Sequence, residues 1–233
     1  AAVDAAITEK RALYLPAGEY LANLDFADDV IIIGDGQLST IIKGYDDTLP
    51  VIQANGSRVR IRDVGIEGSG SGTTAEHGIY ITGITAGLEI RNVQIKNVGG
   101  CGIKATQWFS GVISDVDVDF AGLDGIDLNE TAAGPSVMLV NCYVHSIEPG
   151  FAAYRLRRGY FWLLNCNSLD GPLASGETTC VIVGQTTTGS LDATTSVAFA
   201  HFQNCNFESY RTLGVQFRGA STGSFDECVW AGN

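Results

Sequence analysis

Short stretches of alternating apolar and polar residues recur along this chain, and each one carries a polar residue at the same place. The repeated phrases are VRIRDVGI, LEIRNVQI, GVISDVDV, VMLVNCYV, FWLLNCNS, AFAHFQNCNF and GSFDECVW. A second phrase follows most of them: GIYIT, GIKAT, GIDLN and GFAAY, then the less regular TCVIV and LGVQF. Because alternation with a period of two is typical of strands, each repeat predicts a strand before the polar residue, a strand after it and a third strand at the second phrase.

The recurring polar residues, which we call the anchors, set the length of the repeat. They are Asp63, Asn92, Asp115, Asn141, Asn165, Asn204 and Glu227. Successive anchors lie 23 to 29 residues apart, except for one interval of 39. Three short strands in a repeat of this length predict an all-β parallel β-helix, a solenoid whose coils stack on one another. A β-sandwich, the alternative for evenly spaced strands, gives no reason for a polar residue to recur at the same bend.

The repeat predicts a single domain over residues 1–233. ALYLPAGEYL and VIIIGDGQLSTIIKG predict earlier coils, so that coils occupy residues 11–233. The alanine-rich segment AAVDAAITEK, residues 1–10, predicts a short helix that caps the N-terminal end. Since the chain begins at Ala1 without methionine, we expect a processed chain or part of a longer protein.

Two rows of like residues are expected to be structural. Four of the six cysteines directly follow an anchor, where earlier coils have valine: Cys142, Cys166, Cys205 and Cys228. This predicts an inward row of reduced cysteines that pack as small hydrophobic residues. No CxxC phrase or His/Cys cluster predicts a metal site. The asparagine anchors predict a second row, including Asp115, whose side chains tolerate the bend and hydrogen-bond to their neighbours.

The charge of the chain narrows the class of partner. A formal net charge of −12 argues against nucleic acid, because phosphate binding needs clustered cations. No apolar run approaches the roughly 18 residues of a membrane span, so membrane insertion is not expected. A polysaccharide stays open as a partner, since binding a neutral sugar polymer needs little net charge.

Alternation also sorts the outward residues into rows, because successive side chains of a strand point to opposite sides. On the strand before the anchor, the middle coils present an apolar row: Val112, Met138, Val140, Trp162 and Leu164. Monomers rarely leave such a stripe in water. We therefore expect a subunit contact there or, as the alternative, a long loop that covers it.

The strand after the anchor presents a polar row that includes Asp117, Asp119, Tyr143 and His145. Two interpretations stay open for it. The row is either a solvated face that keeps a β-rich surface soluble, or a place where Asp119, Tyr143 and His145 bind substrate.

The third strand has the densest set of chemically active residues. Its predicted outward row brings Lys104, Asp127, Asn129 and Tyr154 within about 5–7 Å of one another on adjacent coils. A base, an acid, an amide and an aromatic ring in one shallow groove suit the recognition and cleavage of a sugar polymer. The candidate catalytic residues are Asp127, Asp124, Glu130 and Lys104. The candidate substrate-binding residues here are Asn129, Tyr154 and Arg155.

Two reactions fit these residues. Hydrolysis of a glycosidic bond needs two carboxyl groups, roughly 5–5.5 Å apart for retention and 6.5–9.5 Å for inversion. Asp127 can form such a pair with Asp124, Glu130 or Asp119. A lyase instead needs a base such as Lys104 or Arg155 to take the proton beside a uronate carboxylate. The acids would then hold Ca²⁺ through oxygen ligands, and no other cofactor is expected.

The phrases LPAGEY, IIIGDGQLSTIIKG and the repeated NVxI…GI resemble the pectate-lyase-like (pectin-lyase-like) right-handed parallel β-helix superfamily and, within it, the β-helix domains of phage tailspikes. The resemblance covers essentially the whole chain and implies that substrate lies along the third-strand face. For a tailspike it further implies a homotrimer about a three-fold axis and an extracellular position on the virion tail. Its partner would be a host polysaccharide (capsule, O-antigen or exopolysaccharide), which it degrades. A secreted protein is the alternative.

The sharper signatures of this superfamily are incomplete here. LDGID resembles the NTDGID phrase of polygalacturonases and places Asp124 on their first catalytic aspartate, but Gly-Leu stands in place of Asn-Thr. The next coil offers Glu148-Pro149 where their acid pair is expected, and the Gly-His-Gly and Arg-x-Lys phrases are absent. The DPHD phrase of mannuronan epimerases is missing too, with Leu128-Asn129 at the Pro-His positions. Both activities are disfavoured, and a non-catalytic β-helix adhesin that binds glycan is the alternative to a depolymerase.

Overall fold

The chain folds as a parallel β-helix whose coils each contribute three strands. A computed structural model describes residues 12–27, 29–56, 58–70, 73–83, 87–106, 110–129, 136–148, 150–169, 179–184, 198–208, 213–219 and 221–231. Every regular element in these ranges is a β-strand, and they contain no helix that is long and apolar enough to cross a membrane. The capping helix predicted for residues 1–10 lies outside the described residues.

The strands are short, and several continue without a break through an anchor. The first ten are β1 (Leu13–Leu15), β2 (Gly18–Leu21), β3 (Leu24–Phe26), β4 (Val30–Gly34), β5 (Thr40–Lys43), β6 (Ile52–Ala54), β7 (Val59–Glu67), β8 (Ile79–Ile81), β9 (Leu88–Val98) and β10 (Ile103–Ala105). The next six are β11 (Ser110–Ala121), β12 (Ile126–Asn129), β13 (Ser136–Val140), β14 (Tyr143–Ile147), β15 (Ala152–Leu164) and β16 (Asn167–Leu169). The last six are β17 (Thr179–Val183), β18 (Ala198–Gln203), β19 (Asn206–Glu208), β20 (Leu213–Phe217), β21 (Thr222–Asp226) and β22 (Val229–Ala231).

Parallel pairing between coils arranges these strands into three stacks. The first sheet, built from strands that precede the anchors, runs β1, β4, β7, β9, β11, β13, β15, β18, β21. The second sheet, built from strands that follow the anchors, runs β2, β5, β7, β9, β11, β14, β16, β19, β22. The third sheet runs β3, β6, β8, β10, β12, β15, β17, β20.

Inward side chains of all three sheets fill the interior of the solenoid. Ile61, Ile90 and Ile113 lie in register in the first sheet, and all three are fully buried. Fully burying one such side chain contributes about 1.5–3 kcal/mol. Because each inward residue lies directly above a similar one in the next coil, a coil obtains most of its buried surface from its neighbours.

The anchors form the bend between the first and second sheets. All seven have left-handed backbone, with φ between 50° and 58°. Their side chains bond from coil to coil: Asn92 Nδ2 donates to Asp63 Oδ1 at 2.7 Å, and Asn165 Nδ2 donates to Asn141 Oδ1 at 3.2 Å. Asn141 Nδ2 in turn donates to Asp115 Oδ1 at 3.0 Å. The predicted polar row is therefore confirmed, and Asp115 belongs to it.

The predicted cysteine row is also confirmed. All six cysteines are free thiols, and Cys142, Cys166 and Cys205 are buried one coil apart, directly after their anchors. Their Sγ atoms lie 3.3–3.4 Å from carbonyl oxygens of the first sheet. Cys228 closes the row and is partly exposed. These cysteines act as small core residues that also make weak hydrogen bonds.

The third sheet differs from the sequence prediction at β15. The phrase GFAAY placed Gly150 level with Gly125 and turned Tyr154 outward, whereas Tyr154 pairs with the inward residue Ile126. Tyr154 is fully buried, and its hydroxyl donates to a carbonyl oxygen of Cys142 or Asn167, at 2.9 and 2.8 Å. The predicted role of Tyr154 as an exposed aromatic platform is therefore wrong. The alignment was shifted by three residues, and an odd shift moves every side chain to the opposite face of a strand.

Candidate functional site

The outer face of the third sheet carries most of the residues that the sequence proposed for chemistry. Lys104 lies in register between Tyr80 and Asp127, and Asp127 lies next to Arg155. Lys104 and Asp127 are thus neighbours as predicted, while Arg155 lies beside Asp127 and Tyr154 faces inward. The shift at β15 replaces an aromatic ring in this row by a cation.

Asp127 is held in a two-pronged ion pair rather than left open to solvent. Arg157 donates from Nε to Asp127 Oδ1 at 2.7 Å and from Nη2 to Oδ2 at 2.9 Å. Asp127 is only 4% exposed, although it lies on the outer side of its strand. Burial alone would lower the pKa of Arg157, but the hydrogen bond and charge of Asp127 outweigh it and raise that pKa. Both oxygens of Asp127 therefore act as acceptors.

Asp124 is buried in a similar way, beside the start of β15. Its Oδ1 accepts a hydrogen bond from the backbone N–H of Ala152 at 2.8 Å. Its Oδ2 accepts one from Arg155 Nε at 2.6 Å. The observed register places Ala152 level with Asp124, so Glu148 does not lie at the position where a polygalacturonase would have its acid pair. Asp124 ties the two coils together by accepting from both backbone and side chain.

Cys101 completes a compact trio with the two acids. Its Sγ and one oxygen from each of Asp124 and Asp127 all lie within 4.8 Å of one another. Burial raises the pKa of Cys101, and the charges of Asp127 and Asp124 raise it further, so the group is a neutral thiol. The trio does not fit the Ca²⁺ considered for a lyase, because Ca²⁺ takes six to eight oxygen ligands and both carboxylates already bind guanidinium groups.

A histidine and a lysine lie beside the trio, His77 one coil before Cys101 and Lys104 in the same coil as Cys101. The backbone N–H of Cys101 donates to His77 Nδ1 at 2.9 Å, and Lys104 Nζ lies 3.4 Å from His77 Nε2. Lys104 Nζ also lies 5.7 Å from the centre of the Tyr80 ring. Burial, followed by the charge of Lys104, lowers the pKa of His77 from 6.5 to about 4. His77 is therefore a neutral ring at pH 7.

Arg218 adds a further cation to this face, two coils beyond Arg155. Its Nε donates to Gln216 Oε1 at 2.6 Å. Burial lowers the pKa of Arg218, and the positive charges of Arg155 and Arg157 lower it further. The guanidinium group of Arg218 is therefore repelled by those of Arg155 and Arg157, two coils away.

Several of these residues were missed by the sequence prediction, although a signal for some was present. His77 and Cys101 share one position of the coil with the predicted residue Asp124, because each of the three immediately precedes the glycine of the repeated GI phrase. Arg157 lies two residues beyond Arg155 in the segment RLRR, so the correct alternation of β15 would also have placed it on the outer face. Asn129 lies at an irregularity of β12 where the pairing shifts to Arg158. Glu130 lies outside the described residues.

The polar row of the second sheet forms a separate cluster. His145 Nε2 lies 3.1 Å from Asp117 Oδ1, and His145 Nδ1 lies 3.2 Å from Asp119 Oδ1. The Tyr143 and His145 rings stack with centres 4.8 Å apart. Gln94 Nε2 donates to Asp117 Oδ2 at 3.0 Å. The residues Asp119, Tyr143 and His145 are thus adjacent as predicted, but they lie on a different sheet from Asp127.

The apolar row of the first sheet is contiguous, as the alternation indicated. Met138 pairs with Val112 on one side and with Trp162 on the other, and Val140 pairs with Leu164. Val112 and Met138 are each about two-fifths exposed in the single chain. An apolar stripe therefore runs along the middle of this sheet.

Acidification is expected to destabilise the fold through His77. Because the pKa of His77 is about 4 in the folded protein and 6.5 in the unfolded chain, the unfolded chain binds a proton first. The stability due to neutral His77 is complete above pH 6.5 and is lost as pH falls toward 4, a loss on the order of 3 kcal/mol. In urea unfolding at several pH values, His77→Asn should lose most of this dependence, since its amide oxygen still accepts from Cys101. The same pH dependence in both proteins would contradict the assignment.

Comparison with known proteins identifies the fold of this chain but assigns it to no family. No family model matches this chain, and no curated protein matches it in sequence. Pectin methylesterase from carrot superposes with a TM-score of 0.55 and 11% identity, covering 94% of this chain and 73% of that one. The A-module of the mannuronan C-5 epimerase AlgE4 from Azotobacter vinelandii superposes with a TM-score of 0.52 and 16% identity, covering 99% of this chain and 90% of that one. The all-β parallel β-helix predicted from the sequence is therefore confirmed as the fold.

Proposed function

We propose that this protein binds an anionic polysaccharide along the outer face of the third sheet. The charge of that face supports the proposal: among the described residues, Lys104, Arg155, Arg157 and Arg218 oppose the carboxylates of Asp124 and Asp127. This excess of cations occurs in a chain whose formal net charge is −12. A bound carboxylate, sulfate or phosphate group would offset the repulsion among the guanidinium groups.

A polymer fits this face better than a small anion does. The cations lie on every second coil, on β10, on β15 and just after β20, and are therefore about 10 Å apart along the solenoid, close to the length of two sugar residues. Two proteins of the same fold are named for pectin and for mannuronan, which are sugar polymers. This shared fold is the reason for proposing a polysaccharide.

The biological setting that we propose is that of a phage tailspike. The supporting observations are the superfamily phrases LPAGEY and IIIGDGQLSTIIKG and the apolar stripe of the first sheet. The chain would form part of a homotrimeric receptor-binding protein on the virion tail. Its ligand would be a capsule, O-antigen or exopolysaccharide of the host. A secreted glycan-binding protein is the alternative setting.

Removal of cations from the third sheet is expected to weaken binding of acidic polymers. Lys104→Gln and Arg218→Gln leave both buried acids paired, so the fold should persist, while each lost charge-assisted hydrogen bond should reduce affinity roughly tenfold. Affinity electrophoresis through gels containing polygalacturonate or alginate measures this, with neutral dextran as the comparison polymer. Arg91→Gln, on the first sheet, is the matched control and should bind like the wild type. Equal retardation in dextran, or unchanged affinity in both variants, would contradict the proposal.

Hydrolysis of the bound polymer is the second candidate function, and elimination by a lyase is the third. An Asp124 oxygen lies within 4.8 Å of an Asp127 oxygen, a separation near the roughly 5–5.5 Å of retaining glycosidases. However, both acids accept hydrogen bonds from arginines, whereas a general acid must itself carry a proton. Binding is therefore the function that the geometry supports best.

A cleavage assay separates binding from hydrolysis. If the two acids hydrolyse the polymer, wild-type protein releases reducing ends, and Asp127→Asn should reduce that release by at least about a thousandfold. Affinity for an acidic polymer should not fall, because the change removes a negative charge that is paired with Arg157 on this face. Asp124→Asn is a second variant, and circular dichroism checks that both remain folded. Polymer that is bound but unchanged assigns a binding function, whereas absorbance from an unsaturated product would assign a lyase. Full activity in Asp127→Asn would place the reaction elsewhere.

The homotrimer is tested by its mass in solution. We expect a native mass three times the 24.6 kDa of one chain, because an exposed stripe of this kind is unusual on a monomer. Trp162→Glu should dissociate the assembly by placing a charge in the stripe. Leu21→Glu is the matched control, since Leu21 is 73% exposed and lies on the second sheet. Light scattering that gives a folded monomer for the wild type would exclude the trimer.

A further inference from the structure

One exposed aromatic residue occupies a backbone conformation that its side chain disfavours. Phe120 lies near the end of β11, where the chain bends from the second sheet toward the third. Its φ is 58°, and its side chain is 58% exposed. A left-handed conformation costs an L-residue roughly 1–2 kcal/mol, and for a bulky residue it is a true outlier. Phe120 therefore incurs strain without burying its ring.

The neighbouring coils show which residue types suit this position. Asn97 and Ser146 occupy the same place one coil before and one coil after Phe120, with φ of 54° and 57°. Asparagine tolerates this backbone, and serine is small and polar. The bend does not favour a phenylalanine at this position, so the presence of an exposed aromatic ring there needs a different explanation.

Phe120 borders a groove that runs across four coils. The groove has a volume of about 230 Å³ and is lined by Gly70, Asn97, Val98, Gly99, Phe120, Ala121, Gly122, Ser146 and Glu148. Its floor is largely backbone. A Cβ at Gly122 would lie 2.4 Å from the Gly99 carbonyl oxygen, so that part of the floor accepts only glycine. Three glycines and an alanine therefore line the groove together with Phe120.

Polar side chains with spare bonding capacity lie beside the ring. The Asn97 amide and the Glu148 carboxylate make no side-chain hydrogen bond within the part of the chain that the structure describes. The Ser146 hydroxyl makes one long contact, 3.5 Å from His145 Nδ1. An amide, a carboxylate and a hydroxyl thus surround an exposed aromatic face. This combination matches a pyranose ring, which has an apolar C–H face and a rim of hydroxyl groups.

We propose that this groove is a carbohydrate subsite that holds one pyranose residue. Phe120 contacts the C–H face of the sugar, while Glu148, Asn97 and Ser146 accept or donate hydrogen bonds to its hydroxyls. A volume of about 230 Å³ suits a single sugar ring, being below the roughly 300–1,000 Å³ of sites for larger ligands. The subsite lies at the bend after the second sheet. It needs none of the cations of the third sheet, and it therefore does not depend on the proposed function.

Substitutions at Phe120 separate a binding role from a structural one. Phe120→Asn replaces the ring by a residue that suits the left-handed backbone, so the protein should unfold at the same temperature as the wild type or a higher one. Saturation-transfer NMR with millimolar methyl β-glucopyranoside, methyl β-galactopyranoside and N-acetylglucosamine measures binding. We expect the wild type to transfer saturation to the ring C–H protons of at least one of these sugars. Phe120→Asn should lose on the order of tenfold in affinity or more.

Two further variants make the result specific. Phe120→Tyr keeps the aromatic face and should retain the signals. The double variant Lys104→Gln/Arg218→Gln should also retain them, because those residues belong to the third sheet. Loss of signal in the double variant would assign the sugar to the third sheet and overturn the proposal. Equal binding by Phe120→Asn, or no transfer to any of the three sugars in the wild type, would overturn it as well.

Discussion

Everything on the surface of this β-helix depends on the left-handed bend between the first and second sheets. From Asp63 onward, each coil turns there on one residue with φ near +50°, and that residue is most often an asparagine. Because the bend has the same length in these coils, strands on both sides keep their register from Asp63 to Glu227. Rows of like side chains follow: isoleucines and cysteines inside, and distinct polar or apolar rows outside. The amide-to-acid hydrogen bonds between anchors then secure a geometry that the core already favours.

The third sheet shows how a stable fold can hold uncompensated charge. Arg155 pairs with Asp124 and Arg157 pairs with Asp127, and all four groups are largely shielded from water. Such pairs contribute little net stability, because desolvation offsets their attraction, yet removing one partner is costly. Arg218 and Lys104 have no carboxylate of their own among the described residues. The paired acids thus fix the position of a positively charged face, and this face is the basis of the proposed binding of an anionic polymer.

The bend from the second sheet toward the third illustrates a different use of the same architecture. Asn97 and Ser146 suit its left-handed backbone, whereas Phe120 is strained there and exposed. The Asp117–His145–Asp119 cluster with Tyr143 lies on the adjoining strands. Polar and aromatic groups therefore continue from the second sheet into the groove at Phe120. The two proposals together give this β-helix separate contact regions for polysaccharide, one on the third sheet and one at this bend.

The sequence by itself determined the solenoid, because its cause is local and repeated. A polar anchor between two alternating strands specifies the bend, and the valine-to-cysteine substitutions after the anchor identify an inward position without any structure. The same parity correctly placed Lys104 beside Asp127 and joined Val112, Met138 and Trp162 in one row. These inferences hold because the residues of the strands before and after an anchor can be numbered from that anchor, whose place in the coil is fixed.

Only the tertiary structure decided the third sheet, since the loops that lead into it vary in length. Gly150 in GFAAY resembled the glycine of the GI phrases, but the chain uses three more residues before β15 comes into register. That odd shift buries Tyr154 and brings Arg155 and Arg157 to the outer face. Whether an acid is open or ion-paired also depends on side chains some thirty positions away, such as Arg157 for Asp127. Alternation fixes which side of a strand a residue faces, but the contacts that it makes there depend on the neighbouring coils.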